Sequence, residues 1–184
     1  MKDVRREINL LKTFEHINIV RYLGAERDAT HLHIFQEWVP GGSVSSLLQK
    51  FGPFSMPVVR SYLLQILSGL TYLHEHKILH RDIKGGNVLV NDVGVVKLAD
   101  FGASRKLAQQ ASEMESLTMR GTPYFMAPEV FEELYGSAAD IWSVGCVAFQ
   151  MASGTPPWKS MGFTNPMSLF MHLKKEEGPP LLPT

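Results

Sequence analysis

Three short segments carry the side chains that could perform chemistry. In chain order they are His80-Arg81-Asp82-Ile83-Lys84-Gly85-Gly86-Asn87, Asp100-Phe101-Gly102 and Ala127-Pro128-Glu129. The first two supply carboxylates, an amide and a lysine, and a predicted β-hairpin lies between them. Transfer of a phosphoryl group depends on positioning and charge neutralisation more than on covalent help from the protein, so these residue types are suited to that chemistry.

Four of these side chains each suit a distinct part of such a reaction. Asp82 can meet the hydroxyl group of a substrate, and Asp100 can hold a magnesium ion against phosphates. Asn87 can ligate a second magnesium ion without adding negative charge. Lys84 can neutralise charge on the transferred phosphate. Either carboxylate alone would be interpreted as an ordinary solvated loop residue, but the ordered set favours catalysis.

The three motifs, in this order, resemble the catalytic loop, the magnesium motif and the end of the activation segment of protein kinases. Lys84 in its position is typical of serine/threonine kinases. The resemblance runs from Glu7 to about Pro183 and implies an α+β fold of two lobes, with ATP and Mg²⁺ as cofactors. Residues 1–184 would be a partial kinase domain, in which 1–39 are a remnant of the N-lobe and hinge. Residues 40–184 would form a mostly helical C-lobe without its last helices.

The resemblance also implies which residues bind ATP. Glu37 and Val39 would form the hinge that bonds adenine through backbone atoms, and Leu89 is counted with them. Glu7 would lie on the regulatory helix and pair with a lysine of a preceding strand. Neither that lysine nor a glycine-rich phosphate loop is present in this chain. Gly41-Gly42 is interpreted as the exit from the hinge rather than as that loop.

Control by phosphorylation is a further implication of the resemblance. Arg81 lies beside the catalytic carboxylate and would receive a phosphate carried by the segment between the second and third motifs. Thr118 is the favoured phosphorylation site, and Ser116 and Thr122 are other candidates. Thr122, in Gly121-Thr122-Pro123, is better interpreted as a bridge within the catalytic loop. Each of these hydroxyl groups could also belong to an ordinary polar loop residue.

Two further residues are implied to support the catalytic loop. His80 is interpreted as a packed core histidine, neither a base nor a metal ligand, in a hydrophobic stack with Leu11, Tyr22 and Phe101. Asp140, at the start of a predicted buried helix, would anchor the backbone of the loop.

Within the protein kinases, several stretches resemble the MAP kinase kinase kinase branch. They are residues 19–24, 40–44, 78–90 and 121–130. The pair Gly85-Gly86 is the most telling, because many kinases carry Pro-Glu or Ala-Ser there. The resemblance implies a serine/threonine kinase that phosphorylates MAP kinase kinases in a signalling cascade. The alternative is an inactive fragment or a pseudokinase-like scaffold, because the phosphate loop and the ATP-binding lysine are absent from this chain.

Hydrophobic periodicity and turn residues predict the elements that position these side chains. We expect an opening helix near residues 4–12, strands at 20–25 and 31–36, and a hairpin of strands at 88–90 and 95–98. A short helix should follow Ser43 as its cap, and a long helix should run from Ser55 to about residue 75. A mostly apolar helix is expected at 138–152, closed by Gly154, and a last helix at 167–175. The polar stretch at 102–122 predicts a functional loop.

Composition narrows the class of protein. Eighteen basic and eighteen acidic residues cancel, so nothing in the charge supports a nucleic-acid or membrane-surface role. No apolar run is long enough to span a bilayer, so we expect no membrane insertion. The N-terminus is no secretion signal, and a cytoplasmic location is the default expectation. The single cysteine, Cys146, lies in an apolar run and is expected to be buried.

Overall fold

The structure is a computed structural model that describes residues 12, 14–101, 105–106, 124–132, 135–163 and 165–175. These residues form six β-strands and four α-helices. The strands are β1 (Tyr22–Arg27), β2 (Leu32–Gln36), β3 (Ile78–Leu79), β4 (Val88–Val90), β5 (Val96–Leu98) and β6 (Arg105–Lys106). The helices are α1 (Val44–Phe51), α2 (Met56–Glu75), α3 (Ser137–Ser153) and α4 (Pro166–Leu173). Two short 3₁₀ helices lie at Pro128–Glu132 and Lys159–Met161. The prediction of an α+β fold is confirmed.

The strands form three antiparallel pairs. β1 pairs with β2, with Ala25 opposite Ile34, and an irregularity in register falls between Tyr22 and Gly24. β4 pairs with β5, with Leu89 opposite Lys97, in the hairpin that the sequence predicts. β3 pairs with β6 over two residues each. The sequence gives no sign of this last pair, because two residues are too few to show the alternation of a strand.

The helices begin and end close to the residues that the sequence indicates. Ser43 caps α1: its hydroxyl accepts a hydrogen bond from the N–H of Ser46. Ser55 is the N-cap of α2, and Pro57 lies in the first turn. Gly154 ends α3 in the left-handed conformation, with φ of 83°. The expected opening helix lies outside the described residues. Among the described residues, no helix is both long and apolar enough to cross a bilayer.

The main hydrophobic core lies where α2 packs on α3 and on β5, with α1 against β4. Ile66, Leu70 and Leu73 of α2 are buried, at the spacing of one helix face. α3 contributes Val144, Val147 and Met151. The alternate residues of the hairpin, Val88, Val90, Val96 and Leu98, are buried in the same core. Cys146 is also buried, as expected, in a second cluster with Trp158 and Leu169.

The segment before β1 is bonded to this core. Asn18 is 5% exposed, and its Nδ2 donates hydrogen bonds to Val96 O at 2.8 Å and to Gln65 Oε1 at 3.2 Å. The N–H of Val20 donates to the carbonyl of Leu98, and the N–H of Leu98 donates to the carbonyl of Asn18, both at 2.9 Å. Residues 18–20 are therefore held directly against β5, the strand that leads to Asp100.

Candidate active site

The centre of the site is the carboxylate of Asp82. Its Oδ2 accepts hydrogen bonds from Lys84 Nζ and from Asn87 Nδ2, each at 2.8 Å. Asn87 Nδ2 also donates to the backbone carbonyl of Asp82 at 2.8 Å. Because the amide nitrogen is used in this way, the amide oxygen of Asn87 is the atom that remains for a cation. The structure therefore brings three of the four predicted catalytic residues into one cluster.

A backbone hydrogen bond links this cluster to the segment that carries the fourth predicted catalytic residue, Asp100. The N–H of Ala99 donates to the carbonyl of Asn87 at 2.9 Å. Asp100 is the next residue after Ala99, so this bond ties the backbone beside Asp100 to Asn87. Asp100 is exposed and has φ of 63°, in the left-handed region. Arg81, beside Asp82, has φ of 69°. Such conformations are costly for residues other than glycine and are found where the surrounding structure imposes them, often at functional sites.

Oxygen ligands from a carboxylate and an amide are of the type that Mg²⁺ prefers. Asp100 and the amide oxygen of Asn87 therefore fit a magnesium site in their chemistry. In the part of the chain that the structure describes, no cluster of three or more His, Cys, Asp or Glu side chains could hold a metal by itself.

Asp140 holds the backbone of the catalytic loop in place, as the sequence predicts. Its side chain is fully buried at the start of α3. Oδ2 accepts from the N–H of His80 at 3.0 Å, and Oδ1 accepts from the N–H of Arg81 at 2.9 Å. His74 Nε2 and the hydroxyl of Tyr135 also bond to this carboxylate, each at 2.8 Å. Burial raises the pKa of Asp140, but these hydrogen bonds outweigh it and hold the pKa below its ordinary value.

His80 is a packed core residue, as expected. Its side chain is fully buried, and its ring lies 5.0 Å from the ring of Phe101. Burial lowers the pKa of His80 because the charged imidazolium would lose its hydration. Tyr22 packs against the same core, whereas Leu11 lies outside the described residues. Phe14, which the sequence does not single out, also packs on Phe101, with 5.1 Å between the ring centroids and an angle of 54° between the ring planes.

Arg81 contacts an aromatic residue that sequence reasoning missed. Its guanidinium carbon lies 4.9 Å from the centre of the Tyr135 ring, a cation–π geometry. The same tyrosine donates to Asp140, so the arginine, the tyrosine and the anchoring carboxylate form one contact group. The predicted phosphorylation sites Ser116, Thr118 and Thr122 lie outside the described residues.

The predicted hinge lies beside the hairpin that carries Leu89. Glu37 forms an ion pair with Lys97 of β5, with 2.6 Å between Oε1 and Nζ, and Val39 is buried. The N–H of Val90 donates to the carbonyl of Gly42 at 2.8 Å. A Cβ atom on Gly41 would lie 2.2 Å from the carbonyl oxygen of Val90, which explains the glycine.

These backbone contacts place Gly41 and Gly42, at the exit from the predicted hinge, directly against β4. Leu89 of that strand is half-buried. Glu7, the predicted partner of the ATP-binding lysine, lies outside the described residues.

Comparison with known proteins agrees with this geometry. The family profile described as the protein kinase domain matches residues 1–177. Mitogen-activated protein kinase kinase kinase ANP1 of Arabidopsis thaliana is 49% identical over 182 residues, which cover 98% of this chain and 27% of that protein. Mitogen-activated protein kinase kinase kinase 2 of the same plant is 53% identical over 159 residues, 86% of this chain and 24% of that protein. The human mitogen-activated protein kinase kinase kinase 19 is 48% identical over 166 residues, 87% of this chain and 12% of that protein.

This chain thus spans about a quarter or less of the length of these relatives. The family profile nevertheless covers almost all of it, including the loop that carries Asp82, Lys84 and Asn87. The chain belongs to the protein kinase family.

Proposed function

We propose that the protein transfers the γ-phosphoryl group of ATP to serine or threonine hydroxyls of a protein substrate. The observation that carries this proposal is the Asp82 carboxylate, held through Oδ2 by Lys84 and Asn87 at 2.8 Å each. This arrangement leaves Oδ1 of Asp82 to orient an incoming hydroxyl and accept its proton.

Each residue then has a role in the transfer. Asp82 would orient the attacking hydroxyl, and Lys84, whose ammonium is bonded to the Asp82 carboxylate, would stabilise charge on the phosphoryl group as it is transferred. Asn87 and Asp100 would hold magnesium, which would neutralise the phosphate charge of ATP. Asp140 acts at a distance from the chemistry, because its hydrogen bonds fix the backbone on which Asp82 is carried.

ATP would bind between two parts of the chain that meet at residue 39. We assign residues 1–39 to the N-lobe and hinge and residues 40–184 to the C-lobe. Glu37 and Val39 would bond adenine through their backbone atoms, and Leu89 would lie below the base. The contact between Gly42 and Val90 supports this assignment, since it fixes the hinge exit against the strand that carries Leu89. Glu7 would complete the site by orienting the lysine that contacts the phosphates.

The proposed substrate is a MAP kinase kinase. Relatives that are 46% to 53% identical to this chain are named mitogen-activated protein kinase kinase kinases. Proteins with that name phosphorylate the next kinase of a cascade. The phosphate-binding role that we propose for Arg81, with Thr118 as the favoured phosphorylated residue, would make this activity dependent on an earlier phosphorylation.

The test is a transfer assay with the purified full-length protein, radiolabelled ATP, magnesium and a catalytically inactive MAP kinase kinase as acceptor. We expect label on serine or threonine of the acceptor, and its loss in the Asp100→Asn variant. Asp92→Asn, an exposed change in the β4–β5 turn, is the matched control and should keep activity. Binding of the acceptor without any transfer would instead support the scaffold alternative.

A further inference from the structure

Gly85 lies at a three-way contact in the catalytic loop. It is buried, and its carbonyl accepts a hydrogen bond at 3.0 Å from the N–H of Ser45 in the first turn of α1. That N–H has no partner within its own helix, so the bond satisfies the helix end and fixes the loop at the same time. Beside it, the N–H of Asn87 donates to the carbonyl of Lys84 at 2.9 Å and closes a turn at residues 84–87.

Gln150, near the C-terminal end of α3, lies on the other side of this contact. Its side chain is only 6% exposed, and its Nε2 donates to the hydroxyl of Ser45 at 3.2 Å. Among the described residues, none donates a hydrogen bond to the buried Oε1 of Gln150. A buried amide oxygen without a donor costs free energy, so the hydrogen bonds of Gln150 alone do not account for an amide at this position.

The space around Gly85 is filled by these two side chains. A Cβ atom there would lie 2.2 Å from Gln150 Oε1 and 2.8 Å from Ser45 Oγ. Its φ is outside the left-handed region, so the glycine is required by space and not by backbone conformation. The neighbouring Gly86 is different: a Cβ atom there would meet only Lys84 Cε, at 4.0 Å.

We propose that Gln150 is a positioning residue for the catalytic loop. Gln150 and Ser45 together set the position of the turn at residues 84–87. They can lie this close to the turn because Gly85 has no side chain. Because Lys84 begins this turn and Asn87 ends it, the contact determines how both meet the carboxylate of Asp82. The effect on turnover rests on the proposed kinase function, whereas the effect on the loop does not.

The first test is Gly85→Ala in the full-length protein. The new methyl group and Oε1 must separate by about 1 Å to reach an ordinary contact distance, and because Gln150 is only 6% exposed we expect the loop to take up much of this movement. A displacement of about 1 Å in catalytic groups costs up to about 10²-fold in rate, so kcat should fall about 10- to 100-fold. KM for ATP should stay within about twofold, because the hinge is not displaced. Gly145→Ala, at an exposed position of α3 where a Cβ atom meets nothing within 4 Å, is the control and should keep kcat.

Second-site changes at Gln150 separate this contact from a general loss of packing. Gln150→Ala removes the atoms that obstruct the methyl group, so the double variant Gly85→Ala/Gln150→Ala should return to within about threefold of Gln150→Ala alone. Gln150→Leu keeps the bulk of the side chain, so Gly85→Ala/Gln150→Leu should remain slow. Equal kcat for all these variants, or equal loss in both double variants, would overturn the proposal.

Hydrogen exchange gives a readout that needs no kinase activity. In Gly85→Ala, the amides of Ser45 and Asn87 should lose protection, because their bonds to the loop are displaced. In Gly85→Ala/Gln150→Ala, protection should return. Unchanged protection in Gly85→Ala would refute the positioning contact. If the wild-type protein transfers no phosphate but the exchange pattern is as expected, the proposed function fails and the contact between Gln150 and the loop stands.

Discussion

The replacement of Asp140 by alanine tests how the catalytic loop is held. The carboxylate accepts two backbone hydrogen bonds, from His80 at 3.0 Å and from Arg81 at 2.9 Å. It also binds the side chains of His74 and Tyr135. Alanine removes all four acceptor contacts at once. No other acceptor is created, and the site is fully buried, so water does not replace the lost oxygens without disturbing the packing.

The two backbone donors set the size of the effect. A buried donor that loses its partner costs about 1–3 kcal/mol, so two of them cost about 2–6 kcal/mol. The side chains of His74 and Tyr135 add little to this cost, because both residues are partly exposed and can reach water. A domain is stable by only about 5–15 kcal/mol in total, so Asp140→Ala should remove a large fraction of that stability. Asp140→Asn keeps one acceptor oxygen and should lie between alanine and the wild type.

Urea unfolding followed by tryptophan fluorescence measures this free energy, since the chain has three tryptophans. Asp92→Ala is the control, because Asp92 is exposed and surface changes are usually within about 0.5 kcal/mol. If Asp140→Ala lowers the free energy of unfolding no more than Asp92→Ala does, the anchoring role of Asp140 is refuted.

Three further predictions concern acid stability, thiol reactivity and regulation. The pKa of Asp140 is lower in the folded protein than its ordinary value of 3.8, so its ionised form stabilises the fold above that pH and this contribution is lost as the pH falls below it. The urea concentration at the midpoint of unfolding should therefore fall between about pH 5 and about pH 3, and it should fall further for the wild type than for Asp140→Asn. Equal falls in the two proteins would contradict this. Burial raises the pKa of the Cys146 thiol to about 12, so a thiol reagent at about pH 8 should label it only after unfolding in urea; rapid labelling of the native protein would show that the thiol is accessible. Thr118→Ala should lower the activity gained on phosphorylation and leave ATP affinity unchanged, as a comparison of kcat and KM would reveal; full activation of this variant would exclude Thr118 as the regulatory site.

The helices could be predicted from the sequence because their ends carry local signals. Ser43 and Ser55 precede α1 and α2, and Gly154 closes α3 in the left-handed conformation that glycine adopts easily. These signals act within a few residues and need no knowledge of the rest of the fold. The β4–β5 hairpin was predictable for the same reason. The pairing of β3 with β6 was not, since it joins Ile78 to Lys106 through two residues on each side.

The contacts around the site depend on residues far apart in the chain, and only some of them were predictable. The motifs and the family resemblance together indicated Asp82, Asn87 and Asp140. The side chains of Tyr135 and Gln150 carry no local signal, because their roles arise from contacts with Arg81 and with Ser45. The hydrogen bond from Gln150 to Ser45 spans 105 positions in the sequence. The glycine at position 85 was noted in the sequence, but its reason became clear only from the atoms that surround it.

The most direct test of the account is the rate of phosphoryl transfer in a single turnover, measured for the wild type, Asp82→Asn and Asp92→Asn in the full-length protein. A positioned base contributes about 10²–10⁴-fold, so Asp82→Asn should be slower by that factor while it still binds ATP. Asp92→Asn should match the wild type. If Asp82→Asn transfers phosphate at nearly the normal rate, Asp82 does not have the catalytic role on which the account depends.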